Sequence, residues 1–289
     1  MTNKNNLAMP QIHPTAVVEP GARIASDAAI GPFCHVGANV RIGGHSRLVS
    51  HVAILGNTVI GDGNTIWPHA TLGADPQDLK YKGERTDLII GDRNDIRESV
   101  TIHPGTANGG GVTRIGNDNL IMVGAHIAHD CELGNCIVLT NHVQFAGHIV
   151  VGDHAVIGGA SAVQGYVSIG PFAFVGGMTR VTKDVPPFMK VEGNPAVVRG
   201  VNTIGLERNQ FSDEEINHLK EAFRRLFRGR NKDEFSGNLV ENLTALSADY
   251  SNDERIQSLV ESLRQSMGGV HGRYLESQRR DNRHTNAAR

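Results

Sequence analysis

The chain has 289 residues, 39% of them hydrophobic, 20% charged and 5% aromatic, with 34 glycines. That is too apolar for a disordered chain, the glycines follow no triplet period, and no apolar run reaches the roughly 20 residues of a membrane helix. A formal net charge of −2 argues against wholesale binding to nucleic acid. Cys34, Cys131 and Cys136 form no CxxC pair, and MTNKNNLAMPQIHP has no secretory apolar stretch, so a reducing, cytoplasmic setting is expected.

From Ile12 to Leu72 an aliphatic residue recurs every six positions, and the run resumes at Ile90, Ile96 and Ile102. A third run makes twelve consecutive apolar hits from Ile115 to Val181, with Phe145 as its one aromatic. At this composition twelve hits arise by chance about once in 10⁵. A helix cannot use the period, because six residues advance about 600° and walk the apolar stripe around the cylinder. Short strands between tight turns can. Each unit places one aliphatic residue inward and one corner outward, where Gly or Asn would ease a positive φ. Three units close a triangular coil, and stacked coils pair their strands. The expected fold class is mainly β, a parallel β-helix over residues 10–190.

The period breaks twice. Stepping on from Leu72 lands on Asp78 and Glu84, so ADPQDLKYKGERTD is expected as an extruded loop carrying Asp78 and Lys80. Ile102 and Ile115 are thirteen apart, which makes PGTANGGGVTR a second excursion. After Val181 a proline-containing segment leads to a small α-helical domain over 191–275. Ser212 with Glu215 reads as a capping box, and Ile216, Leu219, Phe223, Leu226 and Phe227 form one apolar face. A helix is expected over Leu239 to Leu246, and a second box, Ser251 with Glu254, opens another through Leu263. Residues 276–289 are polar and expected to be disordered.

Residues 18 apart stack in such a prism, which sets His148 above Asp130. His103 follows the inward Ile102, His126 enters the next coil, and His129 precedes Asp130, so these groups share one edge. Three chemistries suit that column: neutral imidazoles around a metal, a nucleophile such as Cys131 beside a base, or a general base oriented by an acid.

The six-residue pattern resembles the hexapeptide-repeat acyltransferases, which implies a left-handed coil and a homotrimer. HIAHDC (126–131), with IRESVTIHPGT (96–106), DNLIM (118–122), QDLKY (77–81), FAGH (145–148) and DVPPF (184–188), resembles the UDP-N-acetylglucosamine O-acyltransferases that open lipid A synthesis. The likeness spans residues 10–210. It implies transfer of an (R)-3-hydroxyacyl group from acyl carrier protein to the 3-hydroxyl of UDP-N-acetylglucosamine, with no cofactor and no metal. It makes His129 the general base, Asp130 its orienting partner and the Gly147 N–H an oxyanion donor. It sets Asp78, Lys80, His103, His126 and His148 against the sugar nucleotide or along the cleft, and Asn202 and Arg208 at its uridine and phosphates. Gln164 stands at the top of the column, and Gly177 with Met178 limits the acyl groove.

Gln164-Gly165 replaces a His-Gln or His-Arg pair of the family, Ile204 its usual acidic residue and Asn209 its second arginine. These departures leave open whether the acceptor carries a 3-hydroxyl or a 3-amino group. Two other readings are a zinc-dependent, carbonic anhydrase-like trimer and a non-catalytic scaffold. The related N-acyltransferase carries an extra N-terminal domain, which a repeat beginning by Ile12 leaves no room for. Lys220, Arg224, Arg225, Arg228 and Arg230 would face either an acidic carrier protein or solvent. A groove with one histidine edge needs a second wall, so sites are expected between subunits, with the Lys80 loop reaching a pocket completed by another chain.

Overall fold

Strands of two to four residues recur at the six-residue spacing, from Gln11–Ile12 to Arg180–Val181, in the computed structural model, which describes residues 10–227 and 238–279. The second residue of each two-residue strand is the inward apolar one, and Ile30, Leu48, Ile66, Ile96 and Leu139 are all but fully buried. Each such side chain stabilises by about 1.5–3 kcal/mol, so the coil is held by repetition. Ile12, in the first described coil, is 41% exposed because no described coil covers it.

Through Arg180–Val181 the strands form three parallel sheets, in which each strand pairs with one three places away in the chain. Gln11 pairs with Ala29, a separation of 18 residues, so three units make one turn of a left-handed parallel β-helix. Both loops leave the same edge. Thr71 pairs with Thr101, thirty residues on, so twelve residues are extruded before the strand Asp87–Ile90. Thr101 pairs with His126, 25 residues on, so seven leave before the strand Val112–Ile115.

The corner chemistry differs from the expected one. The residue with positive φ is the third after the inward aliphatic, and it is rarely glycine: Phe33, Arg93, Asp130, Tyr166 and Met178 all take it. Histidine fills it at His45, His51, His69, His142, His148 and His154, with φ between +53° and +65°. Histidine tolerates the left-handed region better than most residues, which accounts for much of this chain's histidine content. The glycine directly after the aliphatic serves a different need. At Gly31 an added Cβ would collide with the backbone oxygens of Leu48 and Val49 in the next coil. Glycine there supplies space between coils.

The strand Met189–Glu192 pairs with Phe174–Val175 as the last parallel rung, and Val197–Val201 returns antiparallel to it. Helices α1 (Thr203–Arg208), α2 (Asp213–Phe227), α3 (Asn238–Asp249), α4 (Glu254–Gly268) and α5 (Tyr274–Ser277) follow. Ile216, Leu219 and Leu226 of α2 form a second core with Leu243, Leu246 and Leu259, while Phe223 and Phe227 are only partly buried at its rim. The Ser212–Glu215 box forms as expected: Ser212 N donates to Glu215 Oε2 at 2.6 Å, and Glu215 N to Ser212 Oγ at 3.3 Å.

The Ser251–Glu254 box does not form. Glu254 is the first residue of α4, not its third, and Asp253 caps the helix by accepting from Arg255 N at 3.1 Å. Residues 276–279 are ordered, against expectation, because Gly272–Tyr274 dock on the coil; the rest of that tail lies outside the described residues. Arg224 and Arg225 pair with Glu221 and Asp249 of the same domain, which neutralises much of the α2 basic face. Arg228 and Arg230 lie outside the described residues. Among the described residues no helix is long and apolar enough to cross a membrane.

Candidate active site

Asp130 takes the corner after the strand His126–Ile127, and His148 takes the same corner one coil on. Stacked at 18 residues, they bring His148 Nε2 to 3.8 Å from Asp130 Oδ2. Asp130 Oδ2 also lies 2.7 Å from His129 Nδ1. The second loop returns to the same carboxylate: Thr106 N donates to Oδ1 at 2.8 Å and Thr106 Oγ1 to Oδ2 at 2.7 Å. The Asp130 side chain is 1% exposed. Burial works to raise its carboxyl, but the hydrogen bonds from His129 and Thr106 outweigh that and hold it below the usual carboxylate range.

An ionised carboxylate only accepts, so His129 donates through Nδ1–H and its Nε2 is left with a lone pair. The ring stands edge-on to His148, centroids 5.2 Å apart, and His148 stacks on Tyr166 at 4.3 Å. Gly147 lies against the His129 ring. A Cβ there would sit 2.5 Å from its Cε1, and the Gly147 N–H makes no hydrogen bond among the described residues.

His103 and His126 form a second edge-on pair with centroids 5.2 Å apart. His126 Nδ1 is 2.7 Å from Thr101 Oγ1, whereas the buried Nδ1 of His103 has no partner among the described residues. Burial pushes both imidazoles below the ordinary histidine value of 6.5. An unfolded chain takes up these protons near that pH and the folded one resists. The pair's contribution is therefore full above pH 6.5 and lost as pH falls through the folded-state values. Melting temperature is expected to fall on acidification more steeply in the native chain than in a His103→Gln/His126→Gln variant. Parallel curves would overturn this.

Asp78 and Lys80 of the first loop meet Thr106, Asp130, His148, Tyr166, Leu275, Gln278 and Arg279 around a cleft of about 560 Å³. The Lys80 loop thus faces the cleft of its own chain. Gln164 and Gly177 are exposed higher on the coil, outside this cleft. Asn202 caps α1 through Oδ1 and donates to Phe172 O at 2.9 Å, and Arg208 is exposed at the end of α1. Both stand at the junction with the helices and away from His129.

Thr106, Tyr166, Leu275, Gln278 and Arg279 are the site residues that the periodicity missed. Thr106 had a signal in the HPGT run that opens the second loop; the tail had none. Cys131 is fully buried and its thiol is pushed up to about 12 by that burial, which removes it as a nucleophile. His129, Asp130 and His148 are the one group among the described residues able to converge on a metal ion, with ligand atoms within 4.8 Å. Both Asp130 oxygens, however, already accept from Thr106 and His129, the arrangement of an orienting acceptor.

Residues 184–271 match the family model described as Udp N-acetylglucosamine O-acyltransferase; Domain 2. The acyl-[acyl-carrier-protein]–UDP-N-acetylglucosamine O-acyltransferase of Anaeromyxobacter sp. (strain Fw109-5) is 44% identical over 90% of this chain and 98% of its own length. That of Halorhodospira halophila (strain DSM 244 / SL1) is 47% identical over 91% of this chain and 99% of its own. Among solved structures, the UDP-N-acetylglucosamine O-acyltransferase LpxA of Moraxella catarrhalis RH4 superposes with a TM-score of 0.80 at 46% identity, covering 86% of this chain and 95% of that one. LpxA of Acinetobacter baumannii gives 0.82 at 40%, covering 88% and 96%. At this identity and coverage the chain belongs to the acyl-[acyl-carrier-protein]–UDP-N-acetylglucosamine O-acyltransferase family and is an acyltransferase.

Proposed function

We propose that the protein transfers an (R)-3-hydroxyacyl group from acyl carrier protein to the 3-hydroxyl of UDP-N-acetylglucosamine, the opening step of lipid A synthesis, in the cytoplasm. The observation that carries the mechanism is the 2.7 Å His129–Asp130 pair, with Asp130 held by Thr106. His129 Nε2 takes the hydroxyl proton as the oxygen attacks the thioester carbonyl. The oxyanion meets the Gly147 N–H, and Asp130 stabilises the imidazolium. The C–S bond then breaks, and the proton held on Nε2 passes to the departing carrier sulfur, which restores the neutral base.

Lys80 and Asp78 approach the acceptor from the first loop. His126 and His148 line its path, and the His103 Nδ1, which has no partner among the described residues, suits a sugar hydroxyl or amide. Of the expected site residues, Asp78, Lys80, Asp130 and His148 line this chain's cleft; His103, His126, His129 and Gly147 lie beside it on the same edge, and Gln164, Gly177, Asn202 and Arg208 lie farther off. A homotrimer, with its grooves between prisms, lets these last four serve a substrate held at a neighbour's histidine edge, Gly177 beside the acyl chain.

The test is an acyl-transfer assay with hydroxyacyl carrier proteins of several lengths and with 3-hydroxy and 3-amino acceptors. Transfer to UDP-N-acetylglucosamine by a metal-free trimer is expected. Transfer to the 3-amino sugar alone would replace the acceptor, activity that tracks zinc content would replace the mechanism, and a fully active monomer by light scattering would remove the shared groove.

A further inference from the structure

Asp130, His148, Tyr166 and Asp184 follow one another at 18-residue spacing, so they climb one edge of the prism coil by coil. The first three take the left-handed corner, with φ of +60°, +64° and +67°. One backbone shape repeated in this way lays the corner side chains over one another. Tyr166 N donates to Gly147 O at 3.2 Å, as His148 N does to His129 O at 3.0 Å in the coil before. The Tyr166 ring accordingly lies flat on His148, with centroids 4.3 Å apart and planes 6° from parallel. His148 in turn stands edge-on to His129 at 5.2 Å and brings Nε2 to 3.8 Å from Asp130 Oδ2.

The Tyr166 ring is itself held from the next coil. There the C-terminal segment docks on the fourth corner: Asp184 N donates to Gly272 O, and Tyr274 N to Asp184 Oδ2, each at 2.8 Å. Arg273 Nη1 donates to Thr182 O at 2.8 Å, and the same guanidinium forms a buried ion pair with Glu276. Beyond α5 the guanidinium carbon of Arg279 lies over the Tyr166 ring, 5.2 Å from its centroid. Stacking is a contact between faces, so it stands beside the hydrogen bonds and ion pairs that these side chains make at their edges.

His148 matters to the reaction through what it touches. Its ring walls the His129 imidazole, and its backbone continues directly from Gly147, the oxyanion donor of the mechanism above. A flat aromatic neighbour restricts both torsions of an imidazole, which a single 3.8 Å approach to a carboxylate does not. We propose that Tyr166 is a positioning residue, whose ring fixes the His148 imidazole beside Asp130 and through it holds the His129 base in place. This rests on the mechanism proposed above, in which His129 takes the proton.

The experiment is a double-mutant cycle in steady-state acyl transfer, with histidine NMR on the same proteins. It uses the full chain, Tyr166→Leu, Tyr166→Phe, His148→Gln and the Tyr166→Leu/His148→Gln pair, all with matched melting temperatures. Tyr166→Leu should lower kcat about 10-fold, the upper end for one aromatic stack, and Tyr166→Phe, which keeps the ring, should recover most of it. In the His148→Gln background the leucine should cost less than about two-fold, because the ring it acts through is gone. The His148 Cε1–H signal is identified by its absence from His148→Gln. It should lose the shielding of the phenol ring in Tyr166→Leu and keep it in Tyr166→Phe. Losses that multiply in the double variant, a phenylalanine as damaging as leucine, a rise in acceptor KM with kcat unchanged, or an unmoved His148 signal would overturn the assignment. A protein whose His148 signal moves as expected but which transfers no acyl group would refute the proposed reaction and leave the hold of Tyr166 on His148 standing.

Discussion

Replacing His129 with alanine should lower kcat by about 10² or more, the range for loss of a general base, with little change in melting temperature. The ring lies on the outer edge of the prism, and the inward residues around it, Ile127 and Phe145, belong to the core whether or not the imidazole is present. Gly147→Ala should act through the same ring. Its Cβ would stand 2.5 Å from Cε1 and 2.8 Å from Nε2, so the imidazole must turn away from the reacting hydroxyl. The two variants should resemble each other in kcat and in their retained circular dichroism. Near-normal turnover in a folded His129→Ala protein would sink the assignment.

Asp130→Asn should also lower kcat, on the order of 10²–10⁴-fold, with no comparable rise in KM. The side chain is almost fully enclosed and keeps its shape, so the effect comes from donors and acceptors. If the new amide nitrogen takes the Oδ1 position, it faces Thr106 N–H, donor against donor. If it takes the Oδ2 position, Thr106 Oγ1 can accept from it, but His129 Nδ1 must then accept as well. The ring proton moves to Nε2, and the base is in the wrong tautomer. A change in KM alone would show instead that Asp130 touches the substrate.

The six-residue period determined the class of fold, because one inward aliphatic per unit closes a prism and nothing else. It placed His129, Asp130 and His148 on one edge, because three units per turn make residues 18 apart neighbours. The Ser212–Glu215 box was legible for the same reason, since both partners lie within one helical turn. Handedness was not in the period; it came with the family likeness, and a mirror coil would show the same spacing.

The tertiary structure decided whatever depends on how separate coils meet. Glycine at the corners answers crowding from the next coil, which a single unit cannot reveal, and the left-handed position falls to histidine and other residues three places past the aliphatic. Asp253, not Ser251, caps α4, because the helix begins at Glu254 once Arg255 and His218 have gathered on the Asp253 carboxylate. Thr106 reaches Asp130 only because seven extruded residues return the second loop to the edge it left. Leu275, Gln278 and Arg279 reach the same cleft because Arg273 and Tyr274 dock on residues some 90 positions earlier. A polar stretch that reads as an unstructured tail becomes a wall of the site, because the hydrogen-bonding groups that order it belong to a coil far away in sequence.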